Sequence, residues 1–194
     1  MKTNIILAGV GGQGILTIAA VLDTAALASN LNIKQAEVHG MSQRGGAVQS
    51  HVRISDKEIY SDLIPKGKAD MIISVEPMEL LRYLPFLKKG GLLVTDSNPF
   101  VNITNYPELD KLYTEIKSHS NTLLIDAKKI AKDLGNSRAT NIVLLGAAAS
   151  QLPLSDESLQ QAIKSLFARK GERVVEKNIE AFNKGKEIAT EFIS

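Results

Sequence analysis

Asn4-Ile-Ile-Leu-Ala-Gly-Val-Gly-Gly-Gln-Gly14 decides the fold. Asn4 leads into an apolar run to Ala8 that glycines end at once, as expected for a strand buried on both faces of a sheet. Residues 13–29 are rich in alanine and leucine, carry no glycine beyond Gly14 and hold Asp23 as their sole charge. That pattern predicts a helix, apolar enough around its circumference to be buried within the domain or against a partner. Ile33 to Val38 then reads as a second strand, completing a strand, turn, helix, strand start. A glycine turn so placed sets backbone N–H groups and the positive helix end beside any bound anion. Gly9, Gly11, Gly12, Gln13 and Gly14 are therefore candidate phosphate-binding residues.

Working outward, residues 39–46 break all periodicity, with Gly40, Gly45 and Gly46 bracketing Ser42, Gln43 and Arg44. From Ala47 the chain alternates, Val48, Val52 and Ile54 on one face and Gln49, His51 and Arg53 on the other, the period of a half-buried strand. Ser55-Asp56-Lys57 is a turn signal, and Glu58 to Ser61 is expected to return as the second arm of a hairpin, which would make the sheet mixed. Ala69 to Val75 predicts another buried strand. Glu76-Pro77 starts a helix expected to run to about Leu87 and end at Gly90-Gly91, followed by a strand over 92–95. A helix over 107–118, a strand over 122–125 and a short helix over 127–134 continue the alternation. Helices over 141–152, 155–167 and 172–192 complete the chain. The expectation is α/β: a three-layer Rossmann-like sheet, mostly parallel with a hairpin making it mixed, and a helical C-terminal part, residues 1–194 forming a single domain.

Composition bounds the function. The 194 residues include 23 basic and 21 acidic side chains, a net charge of +2, so no overall field draws the chain to nucleic acid or an anionic membrane. Cysteine is absent, which removes disulfides, thiolate metal sites and cysteine-ligated iron–sulfur clusters from this polypeptide. No segment approaches the roughly 20 apolar residues that span a bilayer, and the N-terminus lacks the pattern of a signal peptide; the expected location is the cytoplasm.

The glycine spacing also satisfies the dinucleotide fingerprint, with Glu37 near the end of the second strand where a ribose-binding acid would stand. An NAD-binding protein is thus one reading, and tight helix–sheet packing without a ligand another. Arg44 discharges from a strand end into a glycine-bracketed loop, where its planar fork suits a phosphate or carboxylate. His39 and His51 lack a third ligand and are expected to serve structure. Asp96, Ser97 and Asn98 close a strand and are expected to cap the following turn rather than touch a ligand. Val175, Ile179, Phe182, Ala189 and Ile193 form a helical stripe whose default is packing on its own domain. No nucleophile elbow, paired catalytic carboxylates or P-loop lysine is present, and no catalytic residue is assigned.

Taken together, Ile5 to Gly14, Glu37-Val-His-Gly-Met-Ser-Gln-Arg-Gly-Gly46, His51-Val-Arg53, Tyr60 to Pro65, Glu76-Pro-Met-Glu-Leu-Leu-Arg82 and Asn136 to Gly146 resemble the beta subunits of indolepyruvate ferredoxin oxidoreductases. The gamma subunits of pyruvate, 2-oxoglutarate and 2-ketoisovalerate ferredoxin oxidoreductases are similar at greater distance. The resemblance implies a partner, a large cysteine-rich alpha subunit carrying thiamine diphosphate, magnesium and iron–sulfur clusters, with ferredoxin engaged through the complex. It implies a reaction in which an aryl 2-oxoacid is decarboxylated, electrons pass singly to ferredoxin and the acyl group goes to coenzyme A. This chain, inactive alone, would complete the active-site cleft. The phosphates of coenzyme A then become the expected ligand of Gly11, Gly12, Gln13 and Gly14, with Arg44 nearby. A gamma subunit of another 2-oxoacid oxidoreductase, a free-standing NAD-binding protein and a purely structural assembly factor are the alternatives.

Overall fold

The computed structural model describes residues 1–39 and 45–193. Six strands, β1 (Lys2–Val10), β2 (Asn32–His39), β3 (Ala47–Ser55), β4 (Ala69–Ser74), β5 (Leu87–Asp96) and β6 (Thr122–Ile125), form one sheet in the order β2-β3-β1-β4-β5-β6. β1, β4, β5 and β6 pair in parallel, whereas β3 is antiparallel to both β1 and β2. Hence β2 points the same way as β1, with β3 slotted between them. The carboxyl ends of five strands share one edge.

Seven helices flank the sheet among the described residues: α1 (Ile15–Ala28), α2 (Pro77–Arg82), α3 (Leu109–Ser118), α4 (Ala127–Asp133), α5 (Thr140–Ala148), α6 (Asp156–Phe167) and α7 (Glu172–Ile193). Alternation along the strands divides the interior in two. Ile5 and Leu7 of β1 face the larger core, shared with α1 and α4 to α7, while Ile6 and Ala8 face a smaller one under α2 and α3. The three-layer expectation holds, and the all-round apolarity of α1 is explained by burial of Ile15, Ile18, Ala19, Val21, Leu22, Ala25 and Ala26. Within α5 every residue from Asn141 to Ala148 is buried. The α7 stripe from Val175 to Ala189 packs on its own domain, Phe182 being fully buried and Ala189 nearly so; the Ile193 side chain lies outside what is described.

Two expectations change. Glu58 to Ser61 is not a strand; β3 itself makes the sheet mixed, antiparallel to β1 on one side and to its hairpin partner β2 on the other, rather than forming one arm of a hairpin with 58–61. Instead, residues 56–68 cross the face of β3 that carries His51 and Arg53. Arg53 donates from Nη1 to the carbonyls of Ser61 (2.6 Å) and Leu63 (3.1 Å) and from Nε to Asn4 Oδ1 (3.0 Å). His51 Nδ1 accepts the Ile64 N–H at 3.0 Å. Side chains, not a ladder, satisfy that backbone, so β3 is buried on both faces, with His51 4% and Arg53 9% exposed.

The second change lies at Leu87. Pro85, which has no N–H for a helical bond, stops α2 at Arg82; a 3-10 turn over Leu84–Phe86 follows, and Leu87 already begins β5. Gly90 and Gly91 therefore sit inside a strand instead of ending a helix. Gly91 is required there, since a Cβ would lie 2.6 Å from Leu87 Cδ1 and 3.0 Å from the Asp70 carbonyl.

The His51 contact sets a pH dependence. Burial, and after it the Arg53 charge, push the imidazole below its ordinary value, and Nδ1 is unprotonated where it accepts the Ile64 N–H. Since the unfolded chain binds the proton more readily, this stabilisation is complete above about pH 6.5 and is lost as the pH falls from there toward the folded value. Urea titrations across that window should show a falling unfolding free energy. A His51→Gln chain with the same slope as the parent would contradict this.

Candidate anion-binding site at the glycine turn

The turn is built by hydrogen bonds that leave some donors spent and others open. Gly11 N–H reaches the Gly46 carbonyl (2.8 Å) and Gln13 N–H the Val10 carbonyl (3.1 Å), while Gln13 Oε1 accepts the Val10 N–H (2.8 Å). Gln13 thus braces the end of β1 with its side chain. A Cβ on Gly9 would lie 2.8 Å from Ile15 Cδ1, so that glycine serves the close approach of α1 to β1. Gly12 differs. Its φ of 101° favours glycine, yet nothing lies within 4 Å of where a Cβ would stand. Open space faces that backbone.

Gly14 caps α1 at φ 80° and ψ 28° with no side-chain cap, so the first-turn N–H groups of Ile15 and Leu16 carry no capping side chain. Its carbonyl accepts Thr17 N–H (3.0 Å) and the Asn141 Nδ2 amide (2.9 Å). Asn141, 4% exposed at the start of α5, also accepts the Ile142 N–H at 3.0 Å. The sequence places Asn141 at the start of a helix and within a stretch of resemblance, with no contact assigned to it. Its role depends on a contact 127 residues away, which no local pattern announces.

Two clefts flank the turn at the carboxyl edge. One, of about 400 Å³, is lined by Val10, Gly11, Gly12, Leu16, Glu37 and His39. The other, of about 530 Å³, brings Gly12, Gln13 and Thr17 beside Lys128, Arg138 and Lys170. Those three cations take part in none of the ion pairs among the described residues. A hollow of about 610 Å³ at the opposite edge is larger, but its charges Asp70 and Lys88 are spent on each other at 2.6 Å. Helix start, open glycine backbone and cations converge at the glycine turn instead.

The structure brings Gly9, Gly11, Gly12, Gln13 and Gly14 together and divides their labour, with Gly12 and Gly14 nearest the open space. Arg44 lies outside the described residues. Glu37 does line the first cleft, but β3 stands between its strand and β1, so it is two strands from the turn rather than one as in the dinucleotide arrangement. Asp96 accepts Asn98 Nδ2 (3.0 Å) in the turn that follows it, but it also accepts the Ala127 N–H (3.0 Å) at the start of α4 and lines the second cleft, and burial raises its carboxyl above the ordinary range. No cluster of three or more potential metal ligands occurs among the described residues. No helix among them is long and apolar enough to cross a membrane.

Fold and site define a Rossmann-like α/β domain whose first glycine turn opens onto a cation-lined sheet edge. The chain belongs to the pyruvate ferredoxin/flavodoxin oxidoreductase family, which matches residues 4–188. It is 40% identical to the indolepyruvate oxidoreductase subunit IorB of Pyrococcus horikoshii, covering 98% of each protein, and 37% identical to that of Archaeoglobus fulgidus, covering 95% and 94%. Among solved structures, the gamma subunit of a keto/oxoacid ferredoxin oxidoreductase from Geobacter sulfurreducens superposes with a TM-score of 0.71 at 29% identity over 97% of this chain and 99% of that one. A 2-oxoglutarate:ferredoxin oxidoreductase from Magnetococcus marinus, with 2-oxoglutarate, coenzyme A and succinyl-CoA bound, shares the fold at a TM-score of 0.78 and 23% identity; this chain covers 98% of itself and 31% of that chain.

Proposed function

We propose that the chain is the small subunit of an indolepyruvate (aryl 2-oxoacid):ferredoxin oxidoreductase of the cytoplasm, inactive alone, which completes the active-site cleft and holds the phosphates of coenzyme A. The observation that carries the reading is the end-to-end likeness to IorB subunits, joined to a glycine turn with open backbone on a cationic edge. With no cysteine, the chain offers no thiolate to an iron–sulfur cluster, which fits a division of labour with a large partner subunit. On that partner, thiamine diphosphate with magnesium supplies the nucleophile that decarboxylates the 2-oxoacid, and iron–sulfur clusters carry electrons to ferredoxin. Here, Gly12 and Gly14 let a phosphate approach the backbone, the first turn of α1 presents its N–H groups, and Lys128, Arg138 and Lys170 balance the charge, with Arg44 proposed beside them on the sequence motif alone.

Ferredoxin reduction by indolepyruvate should require both subunits. Coenzyme A titrated into the assembled enzyme should bind Gly12→Asp at least about tenfold more weakly than the parent, a difference of about 1.4 kcal/mol. Gly12→Ala separates backbone strain from the added charge. Equal affinity in the parent and the aspartate variant would remove the phosphate assignment.

A further inference from the structure

Residues 97–108 join β5 to α3 without helix or strand, yet they are fastened at several points. At the base, Ser97 N–H donates to the Ile125 carbonyl (2.8 Å), and Asn98 Nδ2 bridges Asp96 (3.0 Å) and Asp126 (2.8 Å). The central fastening is Glu76, fully buried where β4 gives way to α2. Its carboxylate accepts the Glu79 N–H at 2.8 Å, capping α2, and reaches across to the connecting segment through the Phe100 N–H at 3.3 Å and the Tyr106 hydroxyl. No cation within ion-pair distance shares it among the described residues. A buried carboxylate without a cation is costly unless donors surround it, so one charge ties two otherwise independent segments together.

The middle of the same segment reaches the residues that contact the glycine turn. Between the two residues that Glu76 grips, Asn102 Nδ2 donates to the Gly45 carbonyl. Gly45 and Gly46 in turn exchange hydrogen bonds with Gly11, Gly45 N–H to the Gly11 carbonyl at 3.4 Å and Gly11 N–H to the Gly46 carbonyl at 2.8 Å. A continuous chain of contacts therefore runs from Glu76 through residues 100–106 to Gly45 and Gly11. Phe100 lines the cationic cleft and Gly11 the other, so both clefts have a wall on this chain.

We infer that Glu76 is a positioning residue for the binding edge: by clamping residues 97–108 it holds Asn102 on Gly45 and so sets the mouth of the glycine-turn clefts. Its effect on coenzyme A rests on the function proposed above; its effect on Gly45 does not. The closing experiment uses the assembled two-subunit enzyme and reads both. In Glu76→Gln the carboxylate that gathers these donors is gone. Amide hydrogen exchange at Phe100, Gly45 and Gly11 should rise at least about tenfold, with strands β1 and β4 unchanged. KM for coenzyme A should rise about fivefold while kcat and KM for the 2-oxoacid stay within about twofold. Asn102→Ala, an exposed change with little bearing on folding, should leave Phe100 protected but reproduce the exchange at Gly45 and Gly11 and the rise in KM. Glu76→Asp should recover part of the protection at Phe100. Unchanged exchange at Gly45 and Gly11 in both Glu76→Gln and Asn102→Ala overturns the inference. Faster exchange there with an unchanged KM for coenzyme A supports the clamp and counts against coenzyme A as the ligand.

Discussion

Gly146→Ala is expected to cost the protein about 3 kcal/mol or more, a large share of the roughly 5–15 kcal/mol that a domain has to lose. A Cβ at Gly146 would stand 2.0 Å from the Phe182 carbonyl oxygen, and one at Gly185 would stand 1.9 Å from that of Val143. In both cases the obstacle is backbone, which cannot swing aside as a side chain can. Helices α5 and α7 cross with main chain against main chain, and a methyl group forces them apart along the whole contact. The larger core opens with them, because Phe182, Val143 and Ala147 all lie in it. The melting temperature should fall by about 10 °C for a chain of this length. Gly185→Ala should behave alike, and the double variant should cost clearly less than the sum, since one separation of the helices relieves both clashes. Simple additivity, or a melting temperature within a couple of degrees of the parent, would refute the crossing as the cause.

The second large effect is expected at Gly14→Ala. Two costs act there. The φ of 80° is strained for any residue with a side chain, by about 1–2 kcal/mol, and the new methyl would stand 2.6 Å from Asn141 Nδ2. Asn141 must then leave the Gly14 carbonyl, forfeiting about 1 kcal/mol more. A total of about 2–3 kcal/mol in urea unfolding is the expected result, together with at least about tenfold weaker coenzyme A binding in the assembled enzyme. Asn141→Ala makes room for the methyl but loses the hydrogen bond by itself. Gly14→Ala should therefore cost less in the Asn141→Ala background than in the parent, and an equal cost in both would show that Asn141 does not constrain the turn.

Local chemistry made much of this molecule legible before its coordinates. Asn4 to Ala8, Ala69 to Val75 and Thr122 to Ile125 read as strands because the short apolar runs Ile5–Ala8, Met71–Ile73 and Leu123–Ile125 at their centres suit a sheet covered on both sides. The glycine turn and α1 were legible for the same reason, and so was the contact of Asp96 in the turn that follows it. What escaped depended on distant partners. Arg53 and His51 looked like the exposed face of a half-buried strand, because nothing within β3 says that residues 56–68 will lie over them. Leu87 to Gly91 looked like a helix ending on glycines, although Gly91 answers to the Leu87 side chain and the backbone of Asp70. Asn141 offered no sign of its hold on Gly14, and Gly146 and Gly185 none of their crossing.

The reversed course of β3 has a consequence for how such a protein can change. β2 ends at His39 and β3 starts at Ala47, and both points lie at the edge that carries the glycine turn. A connection between two ends on one rim does not have to traverse the sheet. Its length is therefore free of the strand register, and doubling it would add only about 0.6 kcal/mol of closure entropy. A lineage can lengthen or shorten a connection between ends so placed while every strand keeps its neighbours, provided the Gly45 and Gly46 contacts to Gly11 are kept.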